Sequence, residues 1–221
     1  MASRHPQSEN NEGSGIAGDG AGAAEPFESF GEVNRNSILV KCLSPALGDV
    51  DNTKSRRGLV MKPSIYLETS VIGCLAMRLS GVLRIAANQQ VTREWWDNHR
   101  QRFDLFVSRY VIDECSRGDP QAAQERMAFL DGIPLLEVSD SVETLARALL
   151  THVPLPAKAS VDALHISVAA LSGVEFLLTC NCKHIANQSL RLRIESVCRG
   201  MGCEPPVICT PQELLEINDA T

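Results

Sequence analysis

Several things are scarce in this sequence, and each scarcity excludes something. No apolar run approaches the ~18 residues of a membrane span, so a spanning helix is excluded. The first residues, Met1-Ala2-Ser3-Arg4-His5, lead into Gly, Asn and Glu without the apolar core of a secretory signal. The best apolar stretch there, Ser37-Ile38-Leu39-Val40, is broken by Lys41. The expected location is a reducing cytoplasm. Paired CxxC knuckles are missing too. Among eight cysteines, one residue separates Cys180 from Cys182 and four separate Cys198 from Cys203, which argues against structural zinc and for small apolar residues. Positive charge is also in deficit. With 21 Lys and Arg against 27 Asp and Glu the net charge is -6, and the pI is near 5.4. That counts against a broad basic nucleic-acid surface. It leaves room for an acidic site whose bound cations meet phosphate. No internal repeat with a period of ~20–50 residues is visible.

What is present is a soluble, globular composition, 44% hydrophobic and 22% charged. Residues 1–60 are rich in Gly, Ala, Ser, Asn and Glu without a sustained period and read as a disordered extension. The pattern changes at Met61-Lys62-Pro63, and a second reading makes Met61 the true start, with the preceding residues as upstream read-in. Residues 61–217 form the expected domain, with 218–221 as a tail.

Within that domain short β-prone runs alternate with helical stretches. Strands are expected at Ile65–Glu68, Leu105–Val107, Leu135–Val138, Phe176–Thr179 and Val207–Cys209. Helices are expected at Ser70–Leu79, Gln89–Arg102, Ser108–Cys115, from Asp119-Pro120 to Gly132, Asp140–Leu150, Ala159–Leu171 and Asn187–Cys198, with a last one opened by the capping box Thr210-Pro211-Gln212-Glu213. This alternation implies a three-layer α/β/α fold with a mostly parallel central sheet.

In such a fold, side chains just past the carboxyl ends of strands meet in one crevice. Glu68 and Asn181 fall there. Glu114 and Asp162 lie on helices beside strands, Asp162 on a helix otherwise almost wholly apolar, where a lone buried carboxylate is expensive and calls for a metal or another cation. Each has a plainer reading. Asp162 suits a positive helix N-terminus, worth ~0.3–1 kcal/mol. Glu114 beside Asp113 fits a solvated face, Glu68 a salt bridge, and Asn181 a turn.

Together they carry a pattern. Glu68-Thr69-Ser70 follows an apolar strand, and Val111-x-x-Glu114 comes next. Then come Val161-Asp162-Ala163-Leu164-His165-Ile166 and Leu178-Thr179-Cys180-Asn181-Cys182-Lys183-His184-Ile185-Ala186-Asn187. In this order the segments resemble the PIN domain, and most closely the VapC-like toxins of bacterial toxin–antitoxin pairs, over residues 64–217. The resemblance implies a compact α/β fold with an acidic cluster that binds Mg²⁺ or Mn²⁺ and hydrolyses RNA. It also implies a cognate antitoxin and a homodimer. Carried over by position, the catalytic and metal-binding set is Glu68, Glu114, Asp162 and Asn181. Thr69, Ser70 and Thr179 support it, and Lys183, His184 and Arg93 are candidate RNA contacts. Hard divalent ions favour such oxygen donors.

Two positions depart from the family pattern. Glu68 stands where the family carries Asp, and Asn181 brings a carbonyl oxygen without charge, which favours one tightly held ion over two. His165 reads as a packed core histidine, with a catalytic base as the lesser alternative. Lys183 and His184 also suit a solvated loop, and Arg84, Arg93, Arg100 and Arg102 an outer helix face. Aromatics are only 5% of the chain, so core or dimer packing accounts for at least one of Trp95 and Trp96, with base stacking as the other reading. The leading function is a metal-dependent endoribonuclease. The alternatives are a catalytically impaired PIN-like RNA- or partner-binding protein and a DNA-directed nuclease.

Overall fold

A computed structural model describes residues 61–156 and 159–219. The reading of residues 1–60 as a disordered extension lies outside these, as do residues 220 and 221 of the expected tail 218–221, whose first two residues belong to the last helix.

The first strand, β1 (Ser64–Leu67), is a short run whose Ile65, Tyr66 and Leu67 are all fully buried. Apolar residues at successive positions are what a strand covered on both faces needs. It is central in a four-stranded sheet ordered β2-β1-β3-β4. The partners are β2 (Asp104–Phe106), β3 (Phe176–Leu178) and β4 (Val207–Cys209), and every pairing is parallel. Leu67 stands opposite Leu178, so the carboxyl ends of β1 and β3 lie side by side. From β1 the chain steps to β2 on one side and later returns to β3 on the other. This makes the β1/β3 boundary the topological switch point, where α/β sheets open a crevice.

Helices flank the sheet. They are α1 (Thr69–Ala76), α2 (Leu83–Asn98), α3 (Arg109–Cys115), α4 (Pro120–Ala128), α5 (Asp140–His152), α6 (Ser160–Ser172), α7 (Gln188–Gly200) and α8 (Pro211–Asp219). One group packs α1 with α2, α3 and α4, and α8 against α2; another packs α5 with α6 and α7. The α/β class with a parallel sheet is as expected from the alternation of runs.

Local chemistry sets most boundaries. Asp119 caps α4 by accepting from the Ala122 amide at 2.9 Å, with Pro120 in the first turn. Gly173, at φ 66°, ends α6 in the left-handed conformation that costs glycine least. The Thr210/Glu213 capping box forms in both directions. Thr210 N–H donates to Glu213 Oε2 at 2.8 Å, and Glu213 N–H donates to Thr210 Oγ1 at 3.3 Å. Helix α6 is buried at Ala163 and from His165 to Ala170, as its nearly unbroken apolar sequence requires.

Four expected elements need correction, the first being the Asp119 helix, which ends at Ala128 short of Gly132. Leu135–Val138 is no strand: only an isolated bridge joins Leu135 to Val107, and Leu135 is exposed. Its apolar run therefore covers the rim rather than entering the core. The Ser70 helix stops at Ala76, because Met77 turns to ψ 146°. The Gln89 helix begins earlier, at Leu83, and its last expected turn is a separate 3-10 turn, Arg100–Arg102.

The core holds Trp95, fully buried against Phe103, while Trp96 packs edge-on to Phe129. The core reading therefore holds for Trp95. All seven cysteines among the described residues are free, and Cys115, Cys198, Cys203 and Cys209 are buried. No helix among the described residues is long and apolar enough to cross a membrane.

Candidate active site

Glu68 leaves the end of β1 and caps α1, its Oε1 accepting from Ser70 N–H at 3.1 Å. Oε2 accepts from the Ser70 hydroxyl and, at 2.6 Å, from Thr179 Oγ1 at the end of β3. The side chain is 4% exposed, so these donors replace water around the buried charge. Cap and charge are thus one residue, a role the sequence reading did not assign.

Glu114, on α3, comes to the same place from the other side. Its Oε2 accepts from Thr69 Oγ1 at 2.6 Å and lies 2.8 Å from His165 Nε2. Burial pushes this carboxyl towards its neutral form, but the hydrogen bonds from His165 and Thr69 outweigh it, and the pKa falls below the usual glutamate value. His165 is fully buried, and its Nδ1 lies 2.7 Å from the Tyr66 hydroxyl, which in turn lies 2.7 Å from Ser108 Oγ. Burial raises the Tyr66 pKa far above the ordinary phenol value, so the hydroxyl keeps its proton. A polar chain results, Ser108–Tyr66–His165–Glu114–Thr69, buried over its first three members and half-buried over the last two. Among the described residues, Glu68, Glu114 and His165 form the group whose potential metal-ligating atoms all lie within 4.8 Å of one another.

Asp162 and Asn181 form an adjoining group. Asn181 Nδ2 donates to Asp162 Oδ1 at 3.1 Å, and His184 Nδ1 lies 2.7 Å from Asp162 Oδ2. The other ring nitrogen of His184, Nε2, is buried without a hydrogen-bond partner among the described residues. Two links join the groups. Thr179 Oγ1, which donates to Glu68, also accepts the Asn181 amide at 2.9 Å. Asp162 precedes His165 by three residues on α6, which sets them on one face.

The expected catalytic set is thus distributed over two linked clusters. Thr69, Ser70 and Thr179 each bond one of its carboxylates directly. His184 bonds Asp162, Lys183 is exposed in the loop after β3, and Arg93 donates to the carbonyls of Leu75 and Met77 at the carboxyl end of α1. Tyr66 is the residue sequence reading passed over, and His165 the one it read chiefly as packed core, with a catalytic base as the lesser alternative. The i,i+3 spacing from Asp162 marked His165, and a tyrosine inside a buried strand marked Tyr66, since its hydroxyl needs a partner.

The donor set suits a divalent cation. Two carboxylates, a further Asp with an Asn carbonyl beside it, and an imidazole are hard and intermediate ligands. Among the described residues, Oε1 of Glu68 accepts a single hydrogen bond, which leaves it a lone pair for a cation. The unpartnered His184 nitrogen leaves the adjoining group short of one polar contact.

No protein-family model matches the chain, and no curated protein does. Among solved structures it is similar to VapC20 of Mycobacterium tuberculosis, a toxin that cleaves the sarcin-ricin loop. The two are 19% identical with a TM-score of 0.44, and the match covers 56% of this chain and 95% of that one.

Proposed function

We propose that the chain is a divalent-metal-dependent endoribonuclease of the PIN type. We further propose that it is the toxin of a toxin–antitoxin pair, acting in the cytoplasm as a homodimer until its antitoxin blocks it. The observation that carries the nuclease reading is the meeting of Glu68 and Glu114 at the β1/β3 switch point, with Asp162 and Asn181 in the adjoining group. A module built only to bind has no reason to gather carboxylates at a crevice. The ordered segments Glu68-Thr69-Ser70 and Thr179–Asn187, through their PIN resemblance, supply the choice of RNA over DNA and the toxin role.

In this reading Mg²⁺ or Mn²⁺, when bound, supplies positive charge to the phosphate and a nucleophile at neutral pH. The protein's part is positional. Thr69 and Thr179 fix the two glutamates at 2.6 Å each, so the carboxylates need no reorganisation when charge develops on the substrate. Asn181 holds Asp162 by its amide and leaves its carbonyl to the His184 backbone N–H, 3.2 Å away.

A second reading has its own observation: Glu68 is occupied as a helix cap and stands where the family carries Asp, which suits a protein that binds RNA or a partner without cutting. The full chain, incubated with mixed RNA and with single-stranded DNA under Mg²⁺, Mn²⁺ or chelator, separates the readings. Ion-dependent RNA cleavage is expected; DNA cleavage alone would reassign the substrate, and no cleavage by folded protein would leave the binding reading.

A further inference from the structure

The fully buried His165 is more than packing. Its Nε2 lies 2.8 Å from Glu114 Oε2, inside a group where Glu68, Glu114 and His165 offer atoms within 4.8 Å of one another. Adjacent ligands on an octahedral ion with ~2.1 Å bonds lie about 3.0 Å apart, and opposite ones about 4.2 Å. The His165–Glu114 separation is close to one octahedral edge, and the three potential ligand atoms stand near enough for an ion to draw them together.

The far side of the ring is prepared as well. A histidine that ligates a metal through Nε2 carries its proton on Nδ1 and needs an acceptor there. The Tyr66 oxygen lies 2.7 Å from Nδ1, and Ser108 Oγ stands 2.7 Å beyond to take the tyrosine proton. Without an ion the chain runs the other way: Tyr66 donates to Nδ1, and Nε2–H donates to Glu114. Both hydroxyls rotate, so the same four residues satisfy either tautomer. An ordinary core histidine does not require a reversible chain that ends on a carboxylate.

We propose that His165 Nε2 joins Glu68 and Glu114 as a nitrogen ligand, and that the site therefore takes a transition ion such as Mn²⁺ in preference to Mg²⁺. Imidazole suits first-row transition ions, whereas Mg²⁺ is held by oxygen. This rests on the reading that the acidic crevice holds a divalent ion. It departs from an all-oxygen set of Glu68, Glu114, Asp162 and Asn181 by placing Asp162 and Asn181 beside the ion's ligands rather than among them.

The test is spectroscopic. The full chain is loaded with Mn²⁺ alone, and electron spin-echo modulation is recorded for nitrogen coupled to the bound ion. Titration calorimetry compares Mn²⁺ with Mg²⁺. The expected result is coupling from one directly bound imidazole, kept in His184→Gln and lost in His165→Gln. Mn²⁺ affinity should fall roughly 10–100-fold in His165→Gln, and Mg²⁺ affinity much less. Bound Mn²⁺ without nitrogen coupling overturns the proposal and leaves the metal-dependent nuclease standing. Coupling that disappears in His184→Gln, or persists in a folded His165→Gln, overturns it also, because another ring is then the ligand. No Mn²⁺ binding by the wild-type chain overturns both the proposal and the metal reading beneath it. The wild-type spectrum and His184→Gln decide the matter even if His165→Gln fails to fold.

Discussion

Replacing Thr179 tests how the two halves of the site are joined. Its side chain is fully buried, and its hydroxyl donates to Glu68 Oε2 at 2.6 Å while accepting the Asn181 amide at 2.9 Å. Valine keeps the shape and removes both bonds. A hydrogen bond to a charged acceptor contributes ~1.5–3 kcal/mol, and an N–H left unpaired costs ~1–3 kcal/mol. Asn181 is half-buried, so water recovers part of the second loss. Thr179→Val should therefore destabilise the fold by about 2–4 kcal/mol. At ~2–4 °C per kcal/mol for a domain of this size, Tm should fall by about 5–15 °C. Thr179→Ser keeps the hydroxyl and loses one buried methyl, about 1 kcal/mol. Urea unfolding of the two variants under chelator, with m-values compared, isolates the hydroxyl. Valine equal to or milder than serine would refute the claim that this oxygen ties Glu68 to the Asn181 loop. Ion-dependent cleavage should also drop more in the valine variant, since a carboxylate misplaced by about 1 Å costs up to ~10²-fold.

Other outcomes follow from the same geometry. Tyr66→Phe strands His165 Nδ1 and Ser108 Oγ in the core and should cost about 1–3 kcal/mol in denaturant melts; an unchanged midpoint would mean the chain of hydrogen bonds is not formed. The folded-state pKa of Glu114 is depressed. Its ionisation therefore stabilises the ion-free protein fully above the ordinary glutamate value of ~4.3, and this is lost as pH falls through the lower folded value. Glu114→Gln should flatten that acid limb of the stability–pH curve, and an unaltered limb would contradict the assignment. Trp95→Ala should cost ~3–5 kcal/mol and Trp96→Ala clearly less, because only Trp95 is fully enclosed; the opposite order in thermal melts would reverse the core reading.

Much of this architecture is written in local sequence. The Asp119-Pro120 start, the Gly173 stop and the Thr210–Glu213 box each work through residues within a few positions, so the chain itself announces them. Pairing is different. Leu135-Leu136-Glu137-Val138 has strand composition, yet whether it pairs depends on a remote edge, and beside Val107 only one bridge forms. The order β2-β1-β3-β4 is equally non-local. The order of motifs pointed to Glu68, Glu114, Asp162 and Asn181 as neighbours in one crevice, but not to their division into two hydrogen-bonded clusters. That division depends on which side chain reaches which, across separations such as the 111 positions between Glu68 and Thr179. His165 looked like core because it is core, and its contacts with Tyr66 and Glu114 through its two nitrogens could not be read from spacing.

The central claim, an ion-dependent ribonuclease centred on this crevice, is tested most directly by cleavage of a mixed RNA pool. Wild-type chain and Asp162→Asn, matched by circular dichroism, are compared with Mg²⁺, with Mn²⁺ and with chelator. The expected result is wild-type cleavage that needs the ion and is abolished in Asp162→Asn. Equal cleavage by the two proteins, or wild-type cleavage that survives chelation, would contradict the account.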